Sequence, residues 1–457
     1  MTTKGASQDN ATEIERFGIE HIPLEERHGT AGRTFTLWFA ANLTIADYVI
    51  GVLTTEVFGL NLMQSIPVLL LGNLLGGLVL GLSTAMGPKL GYPQMFTSRS
   101  SFGRKGNYLP GGLNWISTVG WFTVNTILGA LAIQAIFPGS NYFAAATLLV
   151  VVQVLIAIYG HDFIHVFEKW MSVVLGVIFL VVFILALPQL GHAVSIPASA
   201  SGSSILGAVG TVLAVAFSYI MSWSPYASDY SRYLPEQTSR AKVAIYSLAG
   251  GAIASFAIEV IGAIVGLLTG SADYFVALRN FSGSIGYVIL VALVLGAIAA
   301  NALNIYTNSL SALVLDVKAR RWITVSFGGA VGLILAALLG GSFEQFFENF
   351  LLILDYWITP WLAIILVDNY VLRRTSSASC RESRSVEWGT LGVYLFSILA
   401  SVPFMSPPTS LGPSVGFLNG WFGGADFSYF ISFGIAAVLY FALRRGTAKK
   451  SVSVSQG

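Results

Sequence analysis

The sequence predicts an all-α polytopic membrane protein of twelve transmembrane helices, arranged as a 5+5 inverted repeat followed by two C-terminal helices. Three observations carry that prediction. Hydrophobic residues make up 55% of the 457 residues and charged residues 10%, where a soluble domain carries about 25% charged residues; mean hydropathy is +0.73. Apolar runs long enough to cross a hydrocarbon core of about 30 Å recur from one end of the chain to the other. Once twelve spans are threaded with the N-terminus in the cytoplasm, all 24 Lys and Arg residues except Arg279 fall on the cytoplasmic side, as the positive-inside rule requires.

Taken in order, residues 1–33 form a polar cytoplasmic tail, expected to be disordered at first and to order near the membrane. It carries Glu13, Glu15, Glu20, Glu25 and Glu26, which argue against a cleavable leader. The first repeat covers 34–190, with spans near 35–58, 62–86, 109–137, 141–160 and 170–188. The second repeat covers 204–372, with spans near 204–224, 243–268, 285–315, 322–340 and 346–371. Spans eleven and twelve occupy 387–445, and residues 446–457 form a cytoplasmic tail. The last two spans lie outside the repeat and are expected to pack peripherally or to support oligomers. A missed span would scramble the charge alternation, so the count and the cytoplasmic termini stand or fall together.

Two spans are interrupted at mid-depth. In span six, AVAFSYIMSWSPYASDYSRY (214–233), an apolar run collects Ser222, Trp223, Ser224, Pro225 and Tyr226 before reaching Asp229 and Arg232. Pro225 lacks an N–H and its ring clashes with the preceding turn, so a regular helix is hard to sustain there. In span one, TLWFAANLTIADYVIG (36–51), Asn42, Thr44 and Asp47 place an unwound segment around 41–45. Broken backbone in a membrane persists only where protein or a wet cavity satisfies the freed groups. Paired interruptions five spans apart point to an inverted repeat with a binding site between them.

Span three places Asn114, Thr118, Trp121 and Asn125 on one helix face, and span eight places Asn301, Asn304, Asn308 and Ser311 on another. A single Asn between membrane helices more often serves as interhelical glue. Several on one face, in a chain with two broken helices, favour a site. Carboxamides offer donors and acceptors without a desolvated charge, which suits the mixed edge of a flat, neutral heterocycle. Trp121 and Trp223 offer π faces for stacking. No intramembrane Arg or Lys is positioned for a phosphate or carboxylate, which disfavours nucleotides and organic anions; an amino acid held at a half-helix N-terminus stays open. The carboxyls at depth are Asp47, Glu259 and Asp355, and an unpaired one there is protonated, paired across helices or part of a proton path.

Other classes fit less well. The histidines (21, 28, 161, 165, 192) lie in the tail or in loops; His161 and His165 have metal-ligand spacing, but a solvated polar face is the expectation, and neither a metal nor a cofactor is expected. Cys380 is the one cysteine, so no internal disulfide forms. A GxxxxGK[ST] nucleotide loop is absent. A membrane enzyme lacks its constellation, and a channel leaves the broken spans without a role. A secondary transporter in the cell membrane remains, with no nucleic-acid partner and an open oligomeric state.

Several motifs then resemble one family. GPKLGYPQMFTSRSSFGRKGN follows span two, GWFTVNT lies in span three, SWSPYASDYSRYLP ends span six and NALNIYTNSLS lies in span eight. With IERFGIEHIPLEERHGT in the tail, these resemble the nucleobase–cation symporters, in particular their purine–cytosine permease branch, over nearly the whole chain. The resemblance implies a leucine-transporter-like fold and import of cytosine and purines coupled to H⁺ or Na⁺. Pyridoxine, a hydantoin such as allantoin, or uracil is the alternative cargo. By motif, Trp121 matches the family's stacking Trp and Asn125 a polar contact one turn later. Asn304 matches the base-binding Asn of span eight, with Asn301 its partner. In span six, alignment through Asp229 sets Ile220 where some relatives stack an aromatic, so Trp223 serves if the broken helix turns it inward, with Ser222 as a hydrogen-bond partner. Sodium-coupled relatives carry two hydroxyl residues just before the first Asn of span eight; here they are Ala299 and Ala300. That departure favours protons, with Glu259 as the leading carrier and Asp47 next.

Overall fold

The computed structural model describes residues 17–159, 161–202, 204–270, 273–406 and 415–454. Among them the first repeat region holds α1 (Gly32–Ala41), α2 (Ile45–Glu56), α3 (Leu62–Thr84), α4 (Gly87–Leu90), α5 (Gln94–Thr97), α6 (Arg99–Phe102), α7 (Tyr108–Ile136), α8 (Tyr142–Tyr159), α9 (His161–Ala186) and α10 (Leu190–Ser195). There follow α11 (Ser204–Met221), α12 (Ala227–Ser231), α13 (Arg240–Thr269), α14 (Tyr274–Phe281), α15 (Gly286–Val314), α16 (Arg321–Leu339) and α17 (Phe343–Leu366). The chain closes with α18 (Ser377–Arg381), α19 (Trp388–Ser401) and α20 (Ser428–Val454). Each expected span has a helix, or in spans one and six a helix pair, at its place. Eight helices among the described residues are long and apolar enough to cross a membrane alone, nine if α1 and α2 count as one span.

The helices sort into two groups. α1–α2, α3, α11–α12 and α13 pack on one another, while α7, α8, α15 and α16 form a second cluster. α9 touches both groups through α1 and α15, and α17 bridges α11 and α7. α19 and α20 pack on α17 at the periphery. Gly72, Gly76, Gly77 and Gly81 let α3 approach closely, since a Cβ there would press on α11 or on α13. Outward, α9 exposes Val173, Val177, Leu180 and Ile184 as a continuous apolar stripe, a surface suited to hydrocarbon.

The break in span one is built locally. α1 stops at Asn42, whose Nδ2 donates to the Trp38 carbonyl at 2.7 Å and satisfies a group the ending helix frees. Thr44 is extended and caps α2, its Oγ1 accepting from the Asp47 N–H at 3.4 Å. The two halves bend by 58°. Span six differs from the expectation. Ser224–Tyr226 form a 3₁₀ turn with Pro225 in its first positions, where the missing N–H costs nothing, and 204–231 runs on as one candidate span. Among the described residues only span one is sharply bent.

Both tails are placed more finely, and the setting of two histidines changes. The tail orders as early as residue 17: Ile22 N donates to Gly91 O at 3.0 Å, and buried Arg27 donates to Pro88 O at 2.6 Å. The C-terminal tail is helical as far as Val454. His161 and His165 belong to α9 and not to a loop, and their side chains lie outside the described residues. The segment after span two folds into α4, α5 and α6 and ties the basic face together. Arg99 and Arg104 both pair with Asp316, at 3.5 and 3.0 Å, and Glu387 N donates to Phe102 O at 2.9 Å.

Candidate functional site

The polar stripes of α7 and α15 face each other in antiparallel register. Asn114 Nδ2 donates to Ser311 Oγ at 2.8 Å, and Asn308 Nδ2 donates to Thr118 Oγ1 at 2.9 Å. These two rungs are interhelical glue. The third rung is different. Asn125 Nδ2 donates to Asn301 Oδ1 at 3.2 Å, and Asn304 Nδ2 donates to the same oxygen at 3.3 Å. Asn301 in turn donates to Phe122 O at 2.9 Å, Gln153 Oε1 at 3.1 Å and Thr126 Oγ1 at 3.2 Å. Asn301 is therefore the pin that fixes the other two carboxamides, held from behind by Gln153 on α8.

From Asn304 the network crosses to span six and then to the break in span one. Tyr226 O–H donates to Asn304 Oδ1 at 3.1 Å, and the Trp223 ring lies edge-on to Tyr226 with centroids 5.3 Å apart. Trp223 Nε1–H donates to Asn42 Oδ1 at 3.2 Å. Ser222 is withdrawn from this circuit, because its hydroxyl donates to its own helix at Tyr219 O, 2.7 Å away. On the other side, Trp121 meets Tyr219 edge-to-face at 5.2 Å and Phe350 at 5.2 Å. Trp121, Asn125, Trp223, Asn301 and Asn304 are all at most 4% exposed, so the site is closed. Within it Trp121 Nε1 and Asn125 Oδ1 are buried without a partner.

Below the break lies a carboxyl pair. α2 and α13 touch backbone to backbone: a Cβ at Gly51 would overlap the Glu259 carbonyl, and one at Gly262 would overlap Tyr48 O. That approach sets Glu259 against Gly51, one turn from Asp47, and both carboxyls are 0% exposed. Asn73 on α3 donates to Glu259 Oε2, leaving Oε1 unpartnered. Neither Asp47 carboxyl oxygen is bonded; the Tyr219 hydroxyl comes next to Asp47 through Thr44, whose Oγ1 it meets at 2.7 Å and which also accepts from the Asp47 N–H. Across from the break, Gly296 of α15 abuts Leu43 O, with Ala299 and Ala300 buried one turn on. Two residues absent from the sequence reading also matter. Gln153 is a carboxamide in an apolar span, and Glu168 on α9 is 0% exposed with neither carboxylate oxygen bonded. Asp355, expected at depth, is likewise buried and unbonded, beside Ser218 and Asp426 and away from the network above.

A separate open space lies away from this network. A cavity of about 790 Å³ opens on the opposite face, lined by Leu131, Gln134, Asp273, Phe275, Arg279 and Phe343 among others. It connects with the site through aromatic rings, Phe343 stacking on Phe347 at 5.4 Å and Phe347 meeting Trp121 at 6.3 Å. A cavity of that shape, stopped by rings above a closed polar site, is a vestibule.

A two-group helical bundle with a discontinuous span, a closed polar chamber and a vestibule on one side is a membrane transporter. The chain belongs to the family of permeases for cytosine/purines, uracil, thiamine and allantoin, whose model matches residues 21–432. It is 33% identical over 461 residues to the Bacillus subtilis protein named "Putative purine-cytosine permease YxlA", covering 96% of this chain and 97% of that one. It is 28% identical to the purine-cytosine permease fcyB of Emericella nidulans, covering 94% and 88%. Among solved structures it resembles Mhp1, a nucleobase-cation-symport-1 family transporter in a closed conformation with bromovinylhydantoin bound. That match has TM-score 0.79 and 20% identity, and covers 95% of this chain and 96% of the other. The shared fold is the leucine-transporter-like fold expected from the sequence.

Proposed function

We propose that this permease imports cytosine and purines across the cell membrane by proton symport, with both termini in the cytoplasm. The observation that carries the substrate class is the pair of unsatisfied atoms in the closed chamber. Trp121 Nε1 is a donor and Asn125 Oδ1 an acceptor, one helical turn apart and both buried. A buried polar atom left unpaired costs about 1–3 kcal/mol, so a ligand that presents an acceptor and a donor on neighbouring positions recovers both. The C=O/N–H edge of a nucleobase does so without bringing in a charge. A base bonded to Trp121 Nε1–H lies at the edge of that indole, so stacking, worth about 1–3 kcal/mol for a flat ring, falls to a second ring of the site such as Trp223. The same chemistry admits other heterocycles of the family's range, uracil and allantoin among them.

Coupling to protons is favoured by two placements. Asp47 and Glu259 put two buried carboxyls on packed turns of α2 and α13, and a carboxyl at that depth offers a place to load and release a proton. At the break, Ala299 and Ala300 offer methyl groups where a hard cation needs oxygen ligands. The experiment is competition of cytosine uptake in whole cells by adenine, guanine, hypoxanthine, uracil, allantoin, pyridoxine and leucine. Adenine, guanine or hypoxanthine is expected to compete and leucine to fail. Competition by leucine with none by the purines would overturn the reading.

A further inference from the structure

We propose that Tyr219 is the positioning residue that links the protonation state of the Asp47–Glu259 pair to the substrate chamber. This rests on the proton-symport reading above and names the part that makes it obligatory. Tyr219 sits on α11, 2% exposed, and it touches both halves of the machinery. Its ring meets Trp121 edge-to-face at 5.2 Å and 89°. Its hydroxyl lies 2.7 Å from Thr44 Oγ1, the atom that caps α2 and so fixes the break in span one. Thr44 Oγ1 also accepts from the Asp47 N–H at 3.4 Å, which sets the Tyr219 hydroxyl beside Asp47, whose two carboxyl oxygens are unbonded.

A phenol has one proton to donate. When the Asp47–Glu259 pair loses its proton, the Asp47 carboxylate is an anionic acceptor and outcompetes a neutral hydroxyl, because charge-assisted hydrogen bonds are roughly twice as strong as neutral ones. The Tyr219 O–H then turns from Thr44 toward Asp47. When the pair is protonated, that pull ends and Tyr219 bonds Thr44. Neither Asp47 oxygen is bonded in this structure, so forming that bond takes more than a turn of the O–H about its C–O axis: the phenol itself shifts toward Asp47, and the ring edge that braces Trp121 shifts with it. Trp121 is thus held with its Nε1–H aimed into the site in the protonated state and released in the other. The groups around this switch are Asp47 and Thr44 on span one, Glu259 and Ser255 on α13 and Asn73 on α3, while α17, which also packs on α11, brings the buried carboxyl of Asp355 to Ser218, the residue before Tyr219. Among the described residues no cation faces it from these elements, so nothing offsets the pull of the carboxylate.

Linkage makes the consequence measurable. If one proton and one substrate bind cooperatively, cytosine affinity falls as pH rises through the titration of the pair, by at most about tenfold per pH unit. The test is cytosine binding to the purified full-length protein across pH 5–9 for wild type and Tyr219→Phe, which keeps the ring and deletes the hydroxyl. Wild type is expected to bind more weakly as pH rises. Tyr219→Phe is expected to bind about 2- to 12-fold more weakly at acidic pH, the effect of one ordinary hydrogen bond, and to lose the pH dependence. A Tyr219→Phe protein with the wild-type pH slope overturns the role of Tyr219 and leaves proton symport standing. A wild type with no pH slope overturns proton symport and this inference with it. Thr44→Val removes the competing acceptor, so it too is expected to flatten the slope. It decides the matter if Tyr219→Phe does not fold, and an unaltered slope in it refutes the switch.

Discussion

Asn304→Ala is the most informative single substitution in the chamber. Asn304 is 1% exposed and makes two side-chain hydrogen bonds: its Nδ2 donates to Asn301 at 3.3 Å and its Oδ1 accepts from Tyr226 at 3.1 Å. Removing the carboxamide strands the Tyr226 hydroxyl and one lone pair of Asn301 in a desolvated space, and strips the ligand of a partner. Each stranded group costs about 1–3 kcal/mol. The part felt by the ligand corresponds to a loss in affinity of roughly 5- to 150-fold, since 1.4 kcal/mol is tenfold. The assay is equilibrium binding of cytosine to purified protein, with thermal stability measured alongside. Asn304→Asp sharpens the reading, because it preserves shape and the acceptor for Tyr226 while turning the donor toward Asn301 into a second acceptor. It is expected to lose at least as much affinity as Asn304→Ala. Cytosine affinity within about twofold of wild type in both variants would remove Asn304 from the chamber and refute the reasoning.

Four further outcomes follow from the same geometry. Trp121→Ala is expected to weaken cytosine binding by about 1–3 kcal/mol through the lost Nε1–H donor, and Trp121→Phe, which keeps a ring but no donor, is expected to lose a similar amount; isothermal titration measures both. Gly51→Ala forces a methyl group onto the Glu259 carbonyl, and overpacking of that kind costs about 1–3 kcal/mol in thermal stability. Glu259→Gln retains an acceptor for Asn73 and is expected to abolish uphill accumulation while counterflow exchange at equal pH persists. On the basic face, burial alone would push the Asp316 carboxyl up, but hydrogen bonds from Arg104 and Tyr108 and the Arg99 charge outweigh it and hold it below its ordinary value. Its contribution to stability is present above the unfolded pKa, about 3.9, and is lost as pH falls through the folded value. Asp316→Asn should therefore flatten the acid limb of a melting-temperature profile.

How far the sequence reaches depends on whether a feature is local. Helix positions are legible because apolar length is set residue by residue, and the break at ANLT is legible because Asn and Thr satisfy freed backbone groups from within the same turn. The bend in span six is overread for a related reason: Pro225 falls at the start of a 3₁₀ turn, where its missing N–H disturbs little. Partner choice is tertiary and stays hidden. Asn114 and Asn308 share their faces with Asn125 and Asn304, yet only the packing of α7 against α15 reveals them as glue. Gln153 carried a usable signal, a carboxamide amid VVQVLIAIY, and its role behind Asn301 shows why it is tolerated there. Tyr219 carried none, since a tyrosine in an apolar run reads as core. Glu168 sits beside Lys169 and reads as a helix-end charge, although it is fully buried.

The most direct test of the account is cytosine uptake into proteoliposomes holding the purified protein, with one gradient imposed at a time. An inward proton gradient without sodium is expected to drive accumulation above the external concentration, and a sodium gradient at equal pH is expected to give only equilibration. Accumulation driven by sodium at equal pH, with none driven by the proton gradient, would contradict it.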